Sequence, residues 1–164
     1  MFNLFFLLVF LNAFPRNAVE KFQVSIELLQ PANRDELKVK AVVRNQSNKT
    51  VNVLTSRYLD YKREKIRALG NYVIEVQKYE NDQYSLFTPS SDIDFITEPE
   101  EFQPFPNAES IVDTIHINGW SFSRRGEPKN GFPTGKYRLR LYFNLDRWRC
   151  NETNSSNWIE FKIE

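Results

Sequence analysis

FPTGKYRLRLYFN, residues 132–144, is the stretch whose reading decides the fold. Tyr137, Leu139, Leu141 and Phe143 recur at every second position, and Lys136, Arg138, Arg140 and Tyr142 lie between them. Side chains on a strand point alternately to opposite faces, so one face is apolar and the other largely basic. This is the pattern of a strand half-buried in an antiparallel sheet, and Pro133 and Gly135 supply a turn before it. Bases interleaved with aromatics also suit a nucleic-acid reader, but that role needs positive charge over a whole surface. The chain carries 22 Lys+Arg against 21 Asp+Glu, so no nucleic-acid partner is expected.

The same period recurs along the chain. Phe22, Val24, Ile26 and Leu28 alternate in one run, and Leu37, Val39, Ala41 and Val43 in the next. After the polar QSNKT turn come Val51 and Val53, and these two runs read as a hairpin. Tyr72, Ile74 and Val76 mark a further strand, followed by an NDQ turn and YSLF. Ile111, Ile115 and Ile117 alternate, interrupted by Asp113, and Ile159, Phe161 and Ile163 form the last inward-facing set. Residues 56–70 break the alternation. Leu59, Ile66 and Leu69 fit one face of a short helix, with Ser56 as its cap and Gly70 as its stop; a charged loop is the alternative. Short strands with regular turns and no βαβ alternation predict an all-β protein, an antiparallel β-sandwich of about seven to nine strands with at most one short helix.

Residues 89–109 differ from the rest. They hold Pro89, Pro99, Pro104 and Pro106, with Asp92, Asp94, Glu98, Glu100, Glu101 and Glu109 and no base. Proline demotes a strand to an edge, so only IDFI, residues 93–96, is expected to pair here. Residues 124–149 are basic, and docking of the acidic segment on the basic one is the expected arrangement, anchored by Phe95, Phe102 and Phe105.

Residues 2–14 are almost wholly apolar, broken by Asn3 and Asn12. That length suits the apolar region of a signal peptide and is short of the roughly 20 residues a membrane-spanning helix needs. The expected organisation is a signal peptide or apolar segment over 1–18 and one β-sandwich domain over 19–164. The mature chain then has no stable membrane span and is secreted, periplasmic or on the cell surface. Cys150 is the single cysteine, which rules out an internal disulfide. Sequons start at Asn45, Asn48, Asn151 and Asn154 and matter only in a eukaryotic secretory pathway.

VVRNQSNKTVNV, then PNAESIVDTIHI, then FPTGKYRLRLYF resemble, in that order, secreted bacterial immunoglobulin-like domains. The N-x-S-x-K-x-V turn and the late G-x-Y-x-L strand carry the likeness. The order is also weakly similar to the immunoglobulin-like domain of BsuPI-type proteinase inhibitors. The resemblance implies an immunoglobulin-like β-sandwich over roughly residues 39–143, and, for the inhibitor family, an inhibitory loop to which no residue here can be matched. The Cys…Trp…Cys core of antibody domains is absent.

Signals of catalysis are sparse. His116 is the single histidine, set in TIHIN on the face opposite Ile115 and Ile117, and reads as an ordinary strand histidine. One His and one Cys do not make a zinc site, and Asp92 and Asp94 lack the further spaced ligands of a calcium loop. No phosphate-binding glycine loop or nucleophile elbow occurs. No enzyme activity, metal or cofactor is expected. Phe102, Phe105, Trp120, Phe122 and Trp148 lie in segments read as loops, where they either plug the ends of the sandwich or form an exposed contact surface. The function these features favour is a non-enzymatic exported β-sandwich that binds a protein or joins an envelope or surface assembly. A proteinase inhibitor acting through an end loop, and a carbohydrate-binding module using exposed Trp and Tyr, are the alternatives.

Overall fold

The computed structural model describes residues 21–54, 59–60, 67–87, 101–118, 131–145 and 152–164. The strands are β1 (Phe22–Leu28), β2 (Glu36–Asn45), β3 (Val51–Leu54), β4 (Leu59–Asp60), β5 (Arg67–Leu69), β6 (Tyr72–Glu80), β7 (Gln83–Leu86), β8 (Phe102–Phe105), β9 (Ser110–Asn118), β10 (Gly135–Phe143) and β11 (Ile159–Ile163). All pair antiparallel. One sheet has the order β1-β2-β9; the larger runs β11-β10-β6-β5-β4, with β7 also on β6. A two-stranded ribbon, β3-β8, completes the set. Nine of the strands have four residues or more, and the only described helix is one 3-10 turn, Glu152–Asn154.

The alternating residues meet between the sheets. Phe22, Val24 and Ile26 of β1 and Leu37, Val39, Ala41 and Val43 of β2 face Ile74 and Val76 of β6 and Leu139 and Leu141 of β10 in one core. Aromatics close both ends. Phe22 meets Phe143 edge-on at 4.9 Å and Phe105 at 6.3 Å, while at the far end Tyr137 stacks on Phe161 at 5.4 Å and meets Phe132 edge-on at 5.7 Å. Each buried ring removes about 150–250 Å² from water, so few aliphatics suffice between these plugs. The Tyr137 hydroxyl donates to the Pro133 carbonyl, four residues back, at 2.6 Å. A tyrosine at the start of a strand bonding back across its corner is a hallmark of immunoglobulin-like sandwiches. The fold is therefore the antiparallel immunoglobulin-like β-sandwich anticipated from the alternation.

Three local expectations are corrected. β2 and β3 are not a hairpin: β2 pairs β9, and β3 pairs β8. Together they make a bent ribbon in which residues 45–50 on one side oppose 106–109 on the other. Buried Asn45 holds the bend, its amide donating to the carbonyls of Lys49 at 2.9 Å and Phe105 at 2.8 Å. Second, Leu59 and Leu69 do not share a helix face but oppose one another on β4 and β5. Gly70, at φ 58°, opens the two-residue turn from Leu69 to Tyr72 rather than ending a helix. Third, β8 forms across Pro104, outside IDFI. A strand paired on one side only tolerates the missing N–H. IDFI, the rest of the acidic segment up to residue 100 and the basic loop over 119–130 lie outside the described residues, as do residues 1–20 and Cys150.

The NDQ turn is as expected. Asn81 and Asp82 both have positive φ, 52° and 61°, the geometry of a tight I′ hairpin turn between β6 and β7. No helix among the described residues is long and apolar enough to cross a membrane.

Candidate functional site

The outer face of the large sheet is built from the polar half of the β10 alternation. Arg138 and Arg140 point away from the core, but neither is merely solvated. The Arg138 guanidinium lies 4.3 Å from the ring centres of both Tyr84, on β7, and Trp158, just before β11. Arg140 lies 4.6 Å from Trp158 and 4.7 Å from Tyr142. Aromatics and guanidiniums thus alternate across the sheet, an arrangement favoured because the ring faces are negative and Arg is weakly hydrated.

Carboxylates lock this ladder. Arg140 donates through Nε to Glu75 Oε2 at 2.7 Å and forks onto Glu152, with Nη1 at 2.8 Å and Nη2 at 3.0 Å. Glu75, on β6, also accepts from the Tyr142 hydroxyl at 2.7 Å and from Gln77 Nε2 at 2.6 Å, and Gln77 accepts from Arg138. Burial alone would raise the Glu75 pKa, but hydrogen bonds from Tyr142, Arg140 and Gln77 outweigh it and hold the carboxyl below its ordinary range. Burial and the Glu75 carboxylate push the Tyr142 phenol well above the usual range. All members are engaged with one another, so the network braces the sheet. Trp158, with two guanidiniums over its ring, is not a bare platform for stacking a sugar.

Among the described residues, β11 is an edge of the same sheet. β11 pairs β10 and no other described strand. β1, the neighbouring edge of the facing sheet, is treated differently along its length. Asn154 Oδ1 accepts from Phe22 N at 3.1 Å, and Asn157 both accepts from Ile26 N at 3.0 Å and donates to Ile26 O at 3.1 Å. These amides satisfy backbone groups that an edge strand leaves unpaired. Ser156 fastens the same segment to β10, its N–H donating to Leu141 O at 2.7 Å. Beyond Asn157 the two edges part and leave a cleft of about 580 Å³ between the 29–35 turn and β11. Leu28, Ala32 and Phe161 give it an apolar floor, and Arg34, Glu160 and Lys162 line its rim. Asn33 shapes the turn by accepting from the N–H groups of Asp35 and Glu36. The turn is pinned to the sandwich where Phe132 N donates to Arg34 O at 2.7 Å. Gly131 permits that approach, because a Cβ there would lie 2.1 Å from the Arg34 oxygen.

The residues singled out from sequence are not brought together as one surface. Phe105 is 2% exposed in the core, so it is an end plug and not a contact residue. Phe102, its neighbour on β8, is 59% exposed. Trp120, Phe122 and Trp148 lie outside the described residues. His116 is exposed, and its Nδ1 lies 2.6 Å from Glu36 Oε1 across the β2–β9 pair; that hydrogen bond, with help from Lys38, lowers the Glu36 pKa. Two of the sequon asparagines, Asn45 and Asn154, are buried with their side chains bonded to backbone, so they staple the fold and cannot carry a glycan in the folded chain. The cleft was not foreseen. Its only sequence signal was the charge alternation Glu160, Lys162, Glu164 at the end of β11.

No protein-family model and no curated protein matches the chain, so the likeness to BsuPI-type inhibitors has no family-level support. Among solved structures, the chain is similar to a CARDB domain from Pyrococcus furiosus at 12% identity, covering 89% of this chain and 96% of that one, with a TM-score of 0.40. It is also similar to part of a β-glucosidase from Erythrobacter marinus, at 10% identity over 88% of this chain with a TM-score of 0.48. A β-glucosidase from Kluyveromyces marxianus matches at 12% identity with a TM-score of 0.47. The chain spans 16% and 14% of the lengths of those two enzymes. At such identities and scores none of these likenesses bears on activity.

Proposed function

We propose that this chain is an exported β-sandwich that binds another protein and carries out no catalysis of its own, in the periplasm, in an envelope or surface assembly, or outside the cell. The observation that carries the reading is the contrast between the two adjacent sheet edges. β1 has backbone groups capped by Asn154 and Asn157, whereas β11 is left beside a cleft with an apolar floor and a charged rim. An edge strand is a template for another chain, and the network of Glu75, Arg140, Tyr142 and Glu152 braces the sheet that carries it. The apolar run 2–14 supports export.

The test is a photo-crosslinking residue placed at Lys162 in the native host, with one at Val112, on the opposite sheet, as the control. The mature N-terminus should fall between about residues 14 and 20. A discrete adduct is expected from position 162 and none from 112. Soluble cytoplasmic protein with Met1 intact would refute export, and equal adducts from both positions would refute the edge as the contact surface.

A further inference from the structure

We propose, resting on the protein-binding reading above, that β11 takes up an extended peptide as an added strand, and that the peptide alternates apolar residues with charges in the order basic, acidic, basic. The geometry sets the occupant. Side chains directly opposite on antiparallel strands face the same side, so an added strand meets Glu160, Lys162 and Glu164 on one face and Phe161 and Ile163 on the other. The inward positions of the guest fall over the floor made by Leu28, Ala32 and Phe161 and call for apolar side chains. Its outward positions meet carboxylate, ammonium and carboxylate.

The central acidic position is the most strongly specified. Lys162 stands directly opposite Lys136 on β10. Like charges opposed across a ladder repel, and these two turn apart, Lys162 towards Glu164 at 3.0 Å and Lys136 over the Tyr79 ring at 5.8 Å. A carboxylate arriving at the edge beside Lys162 would pair with its ammonium, opposite which β10 offers only Lys136 and no carboxylate. The basic-acidic-basic order reads the same in both directions, so parallel and antiparallel guests satisfy it alike.

The probe is a blocked peptide of sequence Ser-Lys-Val-Glu-Val-Lys-Ser, titrated into the isotope-labelled full chain and followed by amide chemical shifts. Binding with Kd of about 0.1–1 mM is expected, with shifts confined to residues 28–34 and 159–164. Replacing both Val by Ser should weaken it about tenfold or more. Lys162→Glu should weaken it about fivefold and favour the variant peptide with Lys at its centre. No shifts at about 2 mM peptide would overturn the proposal, and so would shifts elsewhere or an equal response to a scrambled peptide. A cleft already filled by residues 1–20 or by a second copy gives the first of these results. Indifference to Lys162→Glu in a variant that keeps its dispersed spectrum overturns it as well. If crosslinking from position 162 succeeds while the peptide fails, protein binding stands and strand addition falls.

Discussion

Arg140→Ala probes the outer-face network. Arg140 is 18% exposed and Glu75 13%, so the bond between them at 2.7 Å is well shielded from water. A hydrogen bond between charged groups in such a setting contributes about 1.5–3 kcal/mol. The fork onto Glu152 adds less, because Glu152 is 70% exposed and such pairs are typically worth about 0.2–1 kcal/mol. Stacking on Trp158 and Tyr142 adds about 0.5–1 kcal/mol. These terms are not additive, and a loss of about 3 kcal/mol is expected in urea denaturation, several times the roughly 0.5 kcal/mol of an ordinary surface substitution. A double-mutant cycle with Glu75→Gln should show coupling above about 1 kcal/mol. The pH dependence supplies the sign. Glu75 is held below its ordinary 4.5, so its contribution is complete above that value and is lost as pH falls through the depressed folded value. The stability gap between the wild type and Glu75→Gln should therefore be widest near neutrality and narrow progressively as pH falls below 4.5, through the depressed folded value. A loss under about 1 kcal/mol for Arg140→Ala, or a gap that widens on acidification, would show that this face is simply solvated.

Two further outcomes follow from the packing. Asn154→Ala leaves the buried Phe22 N–H without its acceptor and should cost about 1–3 kcal/mol, with faster hydrogen exchange in β1 and unchanged exchange in β6; uniform loss of protection would show that the amide is not a local staple. Leu141→Ala, at a fully buried position in the middle of β10, should cost about 2–5 kcal/mol in the same denaturation assay, and a loss under about 1 kcal/mol would put the residue on the wrong face.

Period-two alternation is a local property, and what depends on it was legible in the sequence. The inward faces of β1, β2, β6, β10 and β11, the Asn81–Asp82 turn and the strand after Pro133 all follow from neighbours along the chain. Partner choice does not. A short polar turn makes β2 and β3 look like a hairpin, since closing a short loop costs little entropy. The longer closure that brings Phe105 opposite Val51 wins because Asn45 and Phe105 satisfy each other at the bend and Phe105 packs on Phe22 and Phe143. The outer face of β10 was legible as polar but not as a network, because Glu75, Tyr84, Glu152 and Trp158 arrive from three other parts of the chain. The same holds for the asparagines: in sequence Asn45 and Asn154 are indistinguishable from loop residues, and only the folded backbone shows which unpaired groups their amides satisfy. The cleft is the extreme case, since an edge becomes a surface only when the neighbouring sheet covers part of it and stops. Where Asn157 ends that cover is decided by the packing of two sheets, which no alternation along one strand encodes.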